Sequence, residues 1–190
     1  MPTILSHVAI PLVLASALGS RVVPRRLLLA GAVACVLPDL DVLAFHFHIA
    51  YAHEFGHRGF SHSLSFALAL ALLASAFAPY LRATRVVSFM FVGLSTISHG
   101  LLDMLTNGGL GIALWWPWSS ERLFFPWQVI EVSPLSLSRV FSARGLAVIQ
   151  SELLWIWLPA LLSGIALFAL RRMITRGFAD GVRNLGPTDS

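Results

Sequence analysis

The chain has no lysine, one cysteine and few charges of either sign. Without lysine, the lysine-containing first motif of the lipid-phosphate phosphatases cannot be built, and the net charge of +4 rests on thirteen arginines. Cys35 alone cannot form an intrachain disulfide, and its place inside an apolar run suits a small buried side chain. Charged residues make up only 12% of the 190 positions, against roughly 25% in an average soluble domain. There is no G-x-S-x-G nucleophile elbow and no phosphate-binding P-loop. The arginines are scattered rather than gathered into one patch, which argues against a nucleic-acid partner.

What is present instead is apolar sequence, 57% of the chain, with a mean hydropathy of +0.79. Such a composition predicts an all-α, polytopic membrane protein with a single membrane-embedded domain over 1–176. An outer loop near 104–151 and a flexible cytoplasmic tail over 177–190 complete the expected organisation. A window of about 20 residues finds about five candidate transmembrane helices, near 4–18, 27–45, 63–81, 86–105 and 152–170. Pro11 interrupts the first, and Pro38 with Asp39 and Asp41 the second. Breaks of this kind persist at membrane depth only where protein or a water-filled cavity covers the backbone. The first span has no basic leader, so it is expected to stay in the mature protein.

Arginine placement predicts the orientation. Arg21, Arg25, Arg26, Arg82, Arg85, Arg171, Arg172, Arg176 and Arg183 fall on one side of the five spans. Arg58, Arg122, Arg139 and Arg144 fall on the other. Cytoplasmic loops are enriched in arginine and lysine, so the N-terminus is expected outside and the C-terminus inside the bacterial inner membrane. On that map His7, Asp39, Asp41, His57, His62, His99 and Asp103 all reach the outer face. The arginine count is blind to the histidines, so the convergence is independent support for a shared site.

The spacings suit metal chemistry. In "SHGLLD", His99 and Asp103 are four apart, which stacks an imidazole and a carboxylate on one helix face. In "PDLD", Asp39 and Asp41 point the same way if the segment is extended and diverge if it is helical. In "HRGFSHS", His57 and His62 are too far apart for one helix face and fit a loop ligand followed by a helix start. Gly59 would allow the turn and Ser61 would cap the helix. His46, His48 and His53 lie in the outer loop and are expected to be solvated. The six tryptophans fall in or just after the loop from 104 to 151, as suits a segment lying along the bilayer surface.

"PDLD", "HRGFSHS", "SHGLLDMLTNGG", an early histidine and the later "WWPWSSERLFFPW" together resemble the bacterial YdjM-type family, membrane-bound proteins to which metal-dependent hydrolysis is ascribed by inference. That family is distantly similar to the bacterial zinc-dependent phospholipases C. The resemblance covers about residues 4–135 and implies that His7, Asp39, His57, His62, His99 and Asp103 are metal ligands. It also implies that Asp41 is a ligand or supports one. The second H-x-x-x-E pair of those phospholipases has no counterpart here. Mixed imidazole and carboxylate donors suit one to three divalent ions, zinc first and manganese next. Asp41, with Arg58 and Arg122 as a phosphate clamp, would complete a catalytic set acting on a lipid or amphipathic phosphoester. The alternative from a different class is a non-catalytic metal-binding or metal-transport membrane protein using the same ligands.

Overall fold

The computed structural model describes residues 1–133 and 142–184, with side chains through Ile174. Arg139 and the last six positions of the tail lie outside the described residues. The chain is all-helical, and among the described residues there is no strand, only isolated bridges at Thr106 with Ile130 and Ile112 with Leu123.

The interruptions anticipated from proline are where the helices break. The first apolar segment is a short helix α1 (Ile4–His7) followed by α2 (Ala9–Leu18), which puts Pro11 in the first turn, where its missing N–H costs nothing. Helix α3 (Arg25–Val36) gives way at Pro38 to a 3₁₀ helix over Leu37–Phe47, because proline cannot supply an α-helical N–H and crowds the preceding turn. After a second 3₁₀ turn, Phe60–His62, come α4 (Leu64–Ala76), α5 (Ala78–Leu81) and α6 (Arg85–Met104). The last apolar stretch starts as α7 (Ala143–Glu152), widens into a π-helical turn over Leu153–Trp157 and continues as α8 (Leu158–Asn184). Helix α8 therefore runs through position 176 into the segment expected to form the tail.

Among the described residues, three continuous stretches are long and apolar enough to cross a membrane: Arg25–Phe47, Arg85–Met104 and Ala143–Ile174. Ile4–Leu18 and Leu64–Ala76 are apolar but shorter. Helix α6 is the centre of the bundle, packed against α3 and α4 and touching α1 and α2. Its N-terminus is capped by Thr84, whose hydroxyl accepts the Val87 N–H at 3.2 Å. One apolar cluster joins Leu27, Ala34, Ala74, Phe91 and Val92 at the arginine-rich end. A second, Ala9, Leu102, Ile130, Ile156 and Ala160, seats α2, α8 and the segment after α6 against each other at the opposite end.

That segment, 105–133, folds back over the turn that holds His57. The Ala113 N–H donates to the Arg58 carbonyl at 3.0 Å, and the Leu64 N–H to the Leu114 carbonyl at 3.0 Å. Trp116 packs against Phe55 and Phe60 and donates its indole N–H to Glu54 at 3.1 Å, while Trp115, Trp118 and Trp127 are exposed.

Candidate metal centre

Helix α6 delivers the first two groups. One turn apart on its buried face, His99 and Asp103 both have no exposed surface, as the four-residue spacing requires. The "PDLD" segment is helical, and in a 3₁₀ helix of three residues per turn the side chains of Asp39 and Asp41 diverge. Asp39 turns inward and sets Oδ1 3.4 Å from His99 Nε2. His62 comes from the 3₁₀ turn, its Nε2 3.0 Å from His99 Nε2 and 3.3 Å from Asp103 Oδ2.

Asp39, His62, His99 and Asp103 thus each aim one donor atom into a common space, all four atoms within 4.8 Å of one another. Donors around a tetrahedral zinc, about 2.0–2.1 Å from the ion, are separated by roughly 3.3–3.4 Å. Two of the separations, 3.3 and 3.4 Å, match that edge, while His62 and His99 stand closer, at 3.0 Å. Among the described residues, both oxygens of Asp39 and of Asp103 are buried with no aligned hydrogen-bond partner. Asp103 Oδ2 has the Arg58 guanidinium 3.0 Å away, but the other buried oxygens are costly as they stand, and a further cation would resolve them. The donor set therefore fits a divalent metal ion.

The outer oxygens of the same two carboxylates face His7. His7 Nε2 lies 3.9 Å from Asp39 Oδ2 and 3.8 Å from Asp103 Oδ1, and its ring stacks on His99 at 3.8 Å between centroids. Both His7 nitrogens are buried and unpartnered, so His7 stands at the edge of the group with donor capacity to spare.

Asp41 faces the other way and organises a second layer. It accepts hydrogen bonds from the His57 ring at Oδ1, from the Ser61 hydroxyl at 2.6 Å and from the Arg58 backbone N–H at 2.9 Å. His62 Nδ1 is 3.2 Å from its Oδ2. A carboxylate behind a histidine fixes the tautomer that frees the far nitrogen as a ligand. The field of these acids shows in His62, which lies in the turn before α4: burial works against its charge, yet hydrogen bonds to Asp103 and Asp41 lift it to about 9. Of the six expected ligands, four are gathered in one group and His7 adjoins it. His57 is set one carboxylate further out, on Asp41.

Arg58, expected in a phosphate clamp, is turned inward. Its side chain is fully buried, with Nε 3.0 Å from Asp103 Oδ2. Nη1 donates to the carbonyls of Gly108 and Leu110, and Nη2 to the Thr106 hydroxyl at 2.9 Å. Its backbone sits at φ 62°, in the left-handed region that favours glycine. This guanidinium is committed to protein partners and ties a donor of the metal group to the 105–133 segment. Arg122 is likewise spent on carbonyls, those of His57, Gly111, Tyr51 and His53, and burial pushes its guanidinium below the usual arginine range.

Two further features differ from the sequence expectation. Ser63, not Ser61, caps α4, accepting the Phe66 N–H at 3.1 Å, while Ser61 serves Asp41. Glu152, buried, accepts from the Thr3 N–H, the Thr3 hydroxyl and the Ser6 hydroxyl, anchoring the helix that carries His7. A lone carboxylate opening an apolar span was its available signal. His46, His48 and His53 are exposed.

An all-helical bundle with membrane-length apolar helices and a buried His/Asp group defines a membrane protein built around a potential metal site. The chain belongs to the YdjM inner membrane protein family, which matches it over residues 1–176. It is 50% identical over 163 residues to the inner membrane protein YbcI of Escherichia coli (strain K12), covering 85% of this chain and 94% of that relative. No solved structure matches it. Family, relative and helix lengths agree on the inner membrane as its location.

Proposed function

We propose that this protein is a metal-dependent hydrolase of phosphoester bonds, acting on a lipid or amphipathic substrate at the Asp39, His62, His99 and Asp103 group. The observation that carries the reading is the sharing of two carboxylates. Asp39 and Asp103 each offer one oxygen to the four-donor group and the other toward His7. An ion held by the four donors would have its positions filled, whereas one held by His7 and the outer oxygens of Asp39 and Asp103 would have fewer protein donors and a position left open for chemistry. Zinc suits these donors best, and manganese is next. A divalent ion there would supply Lewis-acid polarisation of a phosphoryl oxygen.

The protein's own groups have separate tasks. Asp41 holds His62 by Nδ1, Arg58 fixes Asp103 from behind, and Ser61 with the Arg58 N–H keeps Asp41 in place. His57, hydrogen-bonded to the outer side of Asp41, is a supporting group in this reading. The exposed tryptophans of the 105–133 segment suit a surface at the bilayer interface, from which a lipid phosphoester would approach. In the same reading the chain crosses the membrane five times, with the N-terminus outside and a membrane domain ending near 176. A reporter fused after Arg176 then registers as cytoplasmic.

Metal analysis of the purified full-length protein, followed by hydrolysis assays on phospholipids and a generic phosphodiester, tests the function. The expected result is retained zinc and a turnover abolished by chelation. Metal-free protein that no added zinc occupies would remove the site. Bound metal without turnover of any phosphoester would favour the non-catalytic metal-binding reading, which the complete burial of His99 and Asp103 supports.

A further inference from the structure

The opposite end of the bundle carries a second site. Between α3 and α4 runs an apolar groove of 490 Å³, lined by Leu29, Val33 and Leu37 on one side and Leu70, Leu73 and Phe77 on the other. That volume falls within the roughly 300–1,000 Å³ of ligand clefts. Residues 29, 33 and 37 share one helix face, and Arg25 lies one turn before Leu29 on that face. Tyr80 and Leu81 of α5 close the end of the groove.

Three arginines flank this end in the chain, and one of them, Arg26, lies against Tyr80. Arg25 and Arg26 open α3, and Arg26 is held in place, its Nη1 donating to the Tyr80 carbonyl at 3.1 Å and its guanidinium 4.8 Å from the centre of the Tyr80 ring. Arg82 follows α5 as its cap residue, with φ 58° in the left-handed region that favours glycine. Its side chain is exposed, next in the chain to the groove residues Tyr80 and Leu81. No acidic residue occurs in 19–30 or 74–90, the stretches that frame this end.

We propose that this groove binds an anionic phospholipid of the surrounding inner membrane, with an acyl chain along α3 and α4 and the phosphate on Arg25, Arg26 and Arg82. The occupant follows from two complementarities: an apolar trough beside the membrane-length stretch Arg25–Phe47 for the chain, and an end framed by arginines with no acidic neighbour in sequence for the headgroup. Arg25 and His99 stand at opposite ends of their helices, so this lipid is distinct from any substrate of the His/Asp group.

Native mass spectrometry of the full-length protein, offered phosphatidylglycerol and phosphatidylcholine in equal amounts, reads the site directly. The wild type should retain phosphatidylglycerol preferentially. Arg82→Gly should lower that preference about fivefold, the equivalent of roughly 1 kcal/mol for one arginine near a lipid phosphate. Because glycine suits the left-handed position, this variant should be at least as heat-stable as the wild type, which separates lost binding from lost folding. Val33→Trp, placed on an exposed groove wall, should reduce retention of both lipids while metal content stays unchanged. Equal retention of the two lipids by the wild type would overturn the proposal. So would an undiminished preference in the Arg25→Ala, Arg82→Gly double variant.

Discussion

Two sets of histidines lie close together in sequence and end in opposite environments. His46, His48 and His53 are exposed, whereas His57 and His62, a few residues further on, are buried beside carboxylates, as are His7 and His99. Density of histidine along the chain is therefore a poor guide. What separates the sets is a carboxylate within reach: Asp41 for His57 and His62, and Asp39 for His99. Buried imidazoles need partners, and solvated ones do not.

The sharpest way to break this contrast is Asp103→Asn. It removes a donor from the metal group and leaves the buried Arg58 without its anion, a loss of roughly 3–5 kcal/mol for a broken buried pair. Metal content and thermal unfolding should both fall steeply, and metal retained at the wild-type level would exclude Asp103 as a donor. Asp41→Asn should be milder. The fold persists, but His62 loses its orienting carboxylate, and zinc affinity drops about 10–100-fold in a chelator competition. An unchanged affinity would make Asp41 a bystander.

Proton competition should give a graded effect. His62 is lifted to about 9 by its acidic neighbours, and an imidazole must be unprotonated to hold a metal. Binding therefore displaces a proton, and apparent zinc affinity should fall by about tenfold for each pH unit below about 9. A flat profile between pH 6 and 8 would show that His62 surrenders no proton on binding. The smallest effect belongs to the exposed set. His48 has φ 56°, so His48→Gly should change stability by no more than about 1 kcal/mol and leave metal content alone. Any loss of metal there would erase the distinction between the two sets.

Legibility in the sequence followed the range of the interactions. The His99 and Asp103 pair was readable because helical period alone sets it, and the apolar spans were readable because composition sets them. Asp39 and Asp41 were readable only as two alternatives, since an extended and a 3₁₀ segment after Pro38 place them differently and packing against α6 decides. The surroundings of Arg58 were not readable, for a physical reason. Its partners Thr106, Gly108 and Leu110 lie about 50 residues away, and no local pattern announces that the chain returns there. Glu152 depends in the same way on Thr3 and Ser6, at the other end of the chain.

Gly100 shows how little room this arrangement leaves. It follows His99 on α6, and a Cβ there would stand 3.2 Å from the His62 carbonyl and 3.0 Å from Ile112. A single methyl group at position 100 would push the turn carrying His62 away from the helix carrying His99.

Arg58 has a consequence for how substitutions combine. One guanidinium contacts Asp103 and the 106–110 backbone, while the N–H of the same residue holds Asp41. Changes in that loop and changes among the metal donors therefore share a partner, and sharing a partner is the condition under which mutational effects cease to add. A double-mutant cycle between Thr106 and Asp103 should return a non-zero coupling energy although the two side chains serve different layers. The loop and the donor set would then vary as one unit, each constraining which residues the other can accept.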